Sequence, residues 1–341
     1  MKIDLVNFTL AELGDFLISL GEKRYRAKQV FKWIYQKRAS SFGEMTDLPI
    51  SFREKLENSA SILKIIIKDK KVSQKSGAIK YLHQLWDNEL IETVLILEEK
   101  RKTVCVSSQV GCALGCKFCA TARMGLMRNL TAGEIVGQML SVIKDSKENI
   151  TNIVIMGMGE PFLNYENVIK SVDILSDDNG LAIAHRRITI STIGIIPAIK
   201  RYADEKIKAK LAISLNAVSD EIRGKLMPVS RSYPIDELIN AAKYYAKRAN
   251  KKITFEYVLI DGINDSIEDA KKLAGLISGI SCKINLIPFN PIGNEYKKPA
   301  REKIDLFFRT LKSHSVQVNI RWSKGEDINA ACGQLLSLKR K

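Results

Sequence analysis

Cysteine is the residue type in this chain best suited to chemistry, and its spacing says which kind. Cys112, Cys116 and Cys119 form a C-x3-C-x2-C run. Gly111 and Gly115 flank its first half and let a loop fold tightly around something bulky. Cys105 lies just upstream, Cys332 near the C-terminus, and Cys282 stands apart and reads as structural. Clustered thiols in a cytosolic chain point to metal or redox chemistry rather than structural disulfides. A structural zinc site closes its shell with four protein ligands. The only histidines are His83, His185 and His314, none of them near the run. Three thiolates without a fourth donor match a 4Fe-4S cluster whose last iron is left open.

A second stretch with chemical potential is Gly157-Met158-Gly159-Glu160-Pro161, which ends an apolar run. Considered alone it is equally a plain turn. Cys332 alone is more often an incidental thiol; paired with Cys105 it becomes a candidate for thiol chemistry, and Ala330, Ala331 and Gly333 leave it on a slim, adaptable segment.

The elements that must position these residues follow a repetitive pattern. From about residue 100, strands are expected at 103–107, 152–156, 187–191, 210–215, 253–259, 283–287 and 317–321. Helices fill the intervals, among them 132–143 (capped by Thr131 and Glu134), 235–248 and 268–278. Such alternation implies a parallel sheet with right-handed crossovers. Six or seven units curl into a full or partial barrel with its site at the C-terminal strand ends. Periodicity does not separate a barrel from an open sheet. Upstream, Thr9-x-x-Glu12 before Leu10, Leu13, Phe16 and Leu17 reads as a capped helix ending at Gly21. Helices are expected at 25–38 and 51–58, then strands at 62–67, 78–85 and 90–97, with a turn at Asp87-Asn88-Glu89. The expected organisation is a helical unit at 1–60, a β-rich connector at 61–100 and a core at 101–341.

Composition narrows the class. With 45% hydrophobic and 27% charged residues the chain has material for a real core, which excludes general disorder. The longest stretch without a charge, residues 103–116, is too short to span a membrane. Asp4 precedes any apolar run, unlike a signal peptide, so a cytoplasmic protein is expected. The net charge of +16 favours polyanions, nucleic acid first. Residues 21–40 set seven basic residues against Glu22 alone, with Tyr25, Phe31, Trp33 and Tyr35 interleaved. Residues 61–80 set six lysines against Asp69. Both stretches read as an RNA- or DNA-facing surface, though Phe31 and Ile34 have the spacing to pack inward.

The cysteine run, placed just after the first core strand, resembles that of the radical S-adenosylmethionine (radical SAM) enzymes. Gly159-Glu160 resembles the segment with which they hold the SAM amino group. Ser107-Ser108-Gln109-Val110-Gly111-Cys112 and the stretch 328–335 (INAACGQL) resemble the RlmN/Cfr branch, radical SAM methyltransferases that modify an adenine ring of RNA. The likeness covers nearly the whole chain. Residues 105–121 and 321–335 are more similar to the branch members acting at adenine carbon 2 than to those acting at carbon 8.

The resemblance implies an α/β fold: a partial (β/α)6 TIM-like barrel with a small N-terminal helical domain and a β-rich connector. It implies one 4Fe-4S cluster on Cys112, Cys116 and Cys119. SAM would be held by Gly159, Glu160, Ser191, Ser214, Leu215, Asn216 and Asn290. Relatives usually carry His where this chain has Asn216, which puts any proton relay there in doubt. In such enzymes one SAM methylates a cysteine, here Cys332, and a second yields the radical that takes hydrogen from the S-methyl group. The resulting thiomethylene radical adds to the ring, a glutamate (here Glu92) removes the ring proton, and a second cysteine (here Cys105) resolves the adduct through a disulfide. Apolar neighbours Leu90, Val94 and Ile96 are expected to raise the basicity of Glu92; without the resemblance it reads as a solvent-facing strand glutamate. The implied partners are 23S rRNA at the peptidyl-transferase centre, tRNA beside the anticodon, and a flavodoxin- or ferredoxin-type electron donor. The implied form is a monomer. From the residues alone, a non-catalytic RNA-binding protein with a structural metal remains the rival from another class.

Overall fold

The structure is a computed structural model that describes residues 2–293 and 295–336, so the last five residues of the expected core lie outside the described residues. The chain opens with β1 (Ile3–Asp4) and three helices, α1 (Leu10–Ser19), α2 (Arg26–Tyr35) and α3 (Ile50–Ser59). It then returns through β2 (Ala60–Ser61), parallel to β1. At the start of α1 the Thr9 hydroxyl accepts from the Glu12 N–H, and the Glu12 carboxylate accepts from the Thr9 N–H. The reciprocal capping box is thus in place. On α2 the 3.6-residue period turns Phe31, Ile34 and Tyr35 into core. The aromatic reading of this stretch is corrected accordingly: Phe31 and Tyr35 cannot meet RNA, whereas Tyr25 is exposed and Lys37 Nζ sits 3.5 Å over the Trp33 ring.

A ten-stranded sheet carries the rest. An antiparallel meander, β3 (Ile66–Val72), β4 (Ile79–Gln84) and β5 (Leu90–Glu98), continues antiparallel into β6 (Arg101–Val106). The expected strand at 62–67 begins four residues later, at Ile66. Its first residues are diverted: the Leu63 N–H donates to Asp4 Oδ1, and Leu63 and Ile65 lie against Gly137. After β6 comes a hairpin the polar sequence did not announce, β7 (Gln109–Cys112) with β8 (Gly125–Asn129).

From β6 onward the sheet is parallel through β9 (Asn152–Ile155), β10 (Ile188–Thr192), β11 (Lys210–Ser214), β12 (Ile253–Leu259), β13 (Cys282–Pro288) and β14 (Val318–Ile320). Its crossovers carry α4 (Ala132–Ser146), α5 (Tyr165–Ser176), α6 (Ile196–Asp204), α7 (Asp220–Leu226), α8 (Ile235–Ala249), α9 (Ile267–Leu276) and α10 (Arg301–Ser313). The fold is therefore the α/β one expected, with seven parallel strands joined by six crossovers. β14 pairs with β13 and not with the far edge strand β3, so the hydrogen-bonded sheet stays open. One cavity is nevertheless lined by residues of both β6 and β14, so the sheet curls around it as a partial barrel. Among the described residues no helix is long and apolar enough to cross a membrane.

Candidate active site

The cavity enclosed by the parallel strands has a volume of about 730 Å3 and gathers Cys105, Cys112, Cys116, Cys119 and Cys332. The sequence scatters these thiols over more than two hundred residues, and the fold supplies what spacing alone could not. Cys112 ends β7, and the loop after it is closed at its base by the β7–β8 pairing. Gly111 has φ +76°, and a Cβ there would stand 1.9 Å from the Gly125 carbonyl oxygen, so the hairpin admits only glycine. The Lys117 N–H donates to the Leu226 carbonyl and fixes the loop to α7.

Among the described residues no three His, Cys, Asp or Glu side chains converge at the spacing of one metal ion. Instead the three thiols of the run stand along the cavity wall, close enough to act on one another electrostatically. Burial first, then neighbouring thiolates and Glu160, push the Cys112 thiol up to about 11 and Cys116 well above its usual range. Such a site asks for a positive centre that accepts thiolates, larger than a single ion. A 4Fe-4S cluster fits that donor set.

Glu160 faces the same space from the end of β9, past a sharply turned segment. Gly159 has φ +98°, and a Cβ there would lie 2.5 Å from Gln109 Cβ. The Glu160 N–H donates to Gln109 Oε1 at 2.9 Å. Its carboxylate accepts from the Phe162 and Ile193 N–H groups at 3.1 and 2.9 Å. Burial outweighs these bonds and raises its pKa to about 7. A buried carboxylate so placed suits a cationic amino group. Ser191, Ser214 and Asn216 line the cavity as expected, and Asn216 has φ +58°, a conformation asparagine tolerates better than most residues. Asn216 Oδ1 accepts from the Val258 N–H and its carbonyl from Asn264 Nδ2, so it braces the ends of β11 and β12. Asn290 donates from Nδ2 to the Cys332 carbonyl at 3.0 Å, while its buried Oδ1 has no partner. That unpartnered acceptor, the Glu160 carboxylate and the Ser191 and Ser214 hydroxyls fit SAM. Leu215 is the exception: it is fully buried outside the cavity lining, and its carbonyl accepts from Arg223 Nε. A strand-end side chain on the outer face meets helices rather than ligand.

Cys105 sits in the β6 ladder opposite Val94 of β5 and Val154 of β9. Burial and the neighbouring Cys332 push its thiol up to about 12. Cys332 lies on a C-terminal strap tied just beyond it. Thr121 Oγ1 donates to the Leu335 carbonyl at 2.7 Å, and the Ala120 N–H donates to the Gly333 carbonyl at 2.7 Å. All six cysteines are free, so the disulfide expected between Cys105 and Cys332 is not present. A thiol as reluctant to ionise as Cys105 is a poor nucleophile at rest.

Glu92 needs a correction. It is buried on β5, but its surroundings are not apolar: Lys80 Nζ pairs with Oε1 at 2.9 Å and the Leu336 N–H donates to Oε2 at 2.8 Å. It lies under the far end of the strap rather than on the cavity wall. Cross-strand pairing with β4 brought in the lysine, which same-strand alternation could not reveal. Sequence reasoning also missed Gln138, which links the end of β6 to β5. It accepts from the Ser107 N–H and the Thr93 hydroxyl at 2.8 Å each. It missed Arg223 as well, a fully buried guanidinium that donates to the Leu215, Tyr233 and Ile193 carbonyls. Burial lowers its pKa to about 10, and it acts electrostatically on Cys116. Nothing in its helical context marks it as internal.

Comparison with known proteins adds to this geometry. A family model described as "Ribosomal RNA large subunit methyltransferase N-terminal domain" matches residues 3–62, and one described as "Radical SAM superfamily" matches residues 106–274. A protein from Pelobacter propionicus named "Dual-specificity RNA methyltransferase RlmN" is 48% identical over 98% of this chain and 96% of its own. One from Alkaliphilus oremlandii, named as probable for the same activity, is 47% identical over 98% and 97%. The crystal structure of a radical SAM methyltransferase from Sphaerobacter thermophilus, 45% identical, superposes with a TM-score of 0.93 over 98% of this chain and 99% of that one.

Proposed function

The chain belongs to the RlmN family of radical SAM RNA methyltransferases, and from that premise we propose that it methylates carbon 2 of adenine in RNA. It is an enzyme of the radical SAM class, and that superfamily implies a 4Fe-4S cluster and SAM. The proposed substrates are an adenine of 23S rRNA in the peptidyl-transferase centre and the adenine beside the anticodon of tRNA. The enzyme works as a cytoplasmic monomer with a flavodoxin- or ferredoxin-type electron donor. What carries the reading is one observation: the three thiols of the run, Cys105 and Cys332 share a single cavity.

Adenine carbon 2 is electron-poor, so an electrophilic methyl group does not transfer to it and a carbon radical is needed. When bound, the cluster on Cys112, Cys116 and Cys119 and SAM supply a radical able to take hydrogen from an S-methyl group. Glu160 receives the SAM amino group, and Ser191, Ser214, Asn216 and Asn290 orient the rest. Cys332 carries the methyl group, with Asn290 holding its carbonyl. Glu92, paired with Lys80 beneath the strap, accepts the ring proton once the covalently attached base is brought to it by movement of the strap end that now covers it. Once the adduct has lost the ring proton and returned one electron to the electron-transfer partner, the Cys105 thiolate attacks the Cys332 sulfur. The S–C bond breaks as the S–S bond forms, its electron pair goes to the carbon, and that carbon takes a proton to become the methyl group. A thiol reductant restores both thiols. The basic surfaces at 21–40 and 61–80 hold the RNA backbone.

Anaerobic turnover with methyl-labelled SAM, rRNA fragments and tRNA, followed by nucleoside mass spectrometry, tests the reading. Labelled 2-methyladenosine is expected from both RNAs. Labelled 8-methyladenosine without 2-methyladenosine overturns it.

A further inference from the structure

The cavity does not end where the proposed reaction does. It runs the height of the barrel, from the cysteine run to Arg101, Asn152, Lys210, Lys283 and Asn319 at the opposite strand ends. Barrel interiors of this type are usually filled by layers of branched apolar side chains. Here the inward positions of that lower half are Thr, Asn and Lys instead. Thr103 and Asn152 oppose each other across β6 and β9, Thr189 and Lys210 across β10 and β11, and Thr254 and Lys283 across β12 and β13. Thr103 and Thr254 are buried and Lys283 is half-buried, while Lys210 and Arg101 reach solvent, so the mouth is open to a ligand from outside.

The charges at this mouth are unbalanced. Glu98 is engaged by Arg101 at 2.8 Å. Glu256 is engaged by Asn285 Nδ2 at 2.9 Å and by Arg321 at 4.0 Å. Among the described residues neither Lys210 nor Lys283 has a carboxylate within ion-pair distance, and Lys283 acts on Glu256 only at longer range. Burial, and then the charges of Lys283, Arg101 and Arg186, push the Lys210 ammonium below its usual range. Lys210 and Lys283 stand on two strands without a carboxylate, and Arg101 on a third is paired with Glu98 through only part of its donor set, so an anion between them would balance the excess.

We propose that the N-terminal mouth of the barrel is a second ligand site, which takes a phosphate-bearing anion between Arg101, Lys210 and Lys283. A phosphate offers several acceptor oxygens to converging donors and is the chemistry such a set recognises. The site is separate from the SAM end of the cavity and does not depend on which adenine carbon is methylated. The anion is either free phosphate or a phosphodiester of RNA that reaches the opposite face.

Calorimetric titration of the full-length, cluster-loaded protein with inorganic phosphate tests it, with sodium chloride at matched ionic strength as reference. Saturable phosphate binding is expected, unaffected by saturating SAM. The Lys210→Gln/Lys283→Gln double variant should bind about tenfold more weakly or worse, whereas Lys210→Arg/Lys283→Arg retains binding. A short RNA oligomer that competes with phosphate in the same titration assigns the anion to the RNA backbone; failure to compete assigns it to free phosphate. No binding beyond the chloride reference overturns the proposal. So does equal affinity in the folded Gln double variant, whose fold the thermal transition reports.

Discussion

The loop of the cysteine run and the strap that bears Cys332 meet in one cavity but are held in different ways. The loop is closed by a hairpin with no room for a side chain at Gly111, and a backbone hydrogen bond ties it to α7. The strap, beyond a single 3-10 turn at Glu326–Ile328, has no regular structure among its described residues. It is held by single hydrogen bonds to Thr121, Ala120, Asn290, Glu92, Ser73, Ser76, Lys80 and Pro291, and by the burial of Ala330, Ala331 and Leu335. Each such bond is worth about 1 kcal/mol net, and no helix or strand ladder ties one to the next. A rigid mount suits thiols that must hold a metal group without strain. In the proposed reaction, a strap without regular structure suits a thiol that meets both a methyl donor and an RNA base.

The largest expected effect tests that division directly. Cys112→Ala should lose iron and labile sulfide, and with them SAM cleavage and RNA methylation. Cys332→Ala should keep the iron and still release 5′-deoxyadenosine, yet lose RNA methylation by about a thousandfold or more, as happens when one member of a catalytic unit is removed. Cys105→Ala should keep the iron and accumulate a covalent RNA–protein adduct, visible as a shifted band on a denaturing gel. Equal iron loss in Cys112→Ala and Cys332→Ala would break the distinction between loop and strap.

The two mounts were not equally legible in the sequence. The loop announces itself through the spacing of Cys112, Cys116 and Cys119 and the glycines around them, because a local motif encodes local geometry. So do the helix starts at Thr9 and Thr131, where each side chain and its partner lie three residues apart. The strand at 253–259 matches β12 at both ends: two lysines precede its buried run, and the Asp261-Gly262 turn follows just beyond Ile260. What stayed hidden depends on pairing between distant segments. β8 forms from the exposed run Gly125–Asn129 because β7 needs a partner, not because of its own pattern. Lys80 reaches Glu92 only through the β4–β5 register. The strap's tethers join residues more than two hundred positions apart. The cations at the far mouth come from separate strands, so the +16 was visible in the sequence while this share of its location was not.

A second test probes the rigid side through protons. Burial raises the Glu160 carboxyl from 4.5 to about 7 in the folded, ligand-free protein. Between those values the unfolded chain has released a proton that the fold retains. Stability of the ligand-free protein should therefore fall as pH rises through that window and level off above about 7. Glu160→Gln should remove this part of the slope, as thermal melts across the window would show. The SAM ammonium selects the charged form, so SAM affinity should rise with pH through the same range in wild type and not in Glu160→Gln. An unchanged slope in the variant would mean that Glu160 does not sit in the buried, neutral-favouring place described for it.

The smallest effect tests chiefly the strap side. Thr121→Val keeps the side-chain shape and removes the hydroxyl that donates to the Leu335 carbonyl. Thr121 is buried, so that carbonyl loses its partner in a place water does not readily reach. The expected cost is about 1 kcal/mol, chiefly in the strap. Hydrogen exchange should quicken at Leu336, whose N–H donates to Glu92, and hardly change along β6 or β9. Iron content should fall little: the Thr121 side chain also bonds to Cys119, but the hairpin shapes the rest of the cysteine loop. Were the exchange of β6 and β9 to quicken as much as that of the strap, strap and barrel would open as one unit. Cys332 would then be mounted as rigidly as the three thiols of the run.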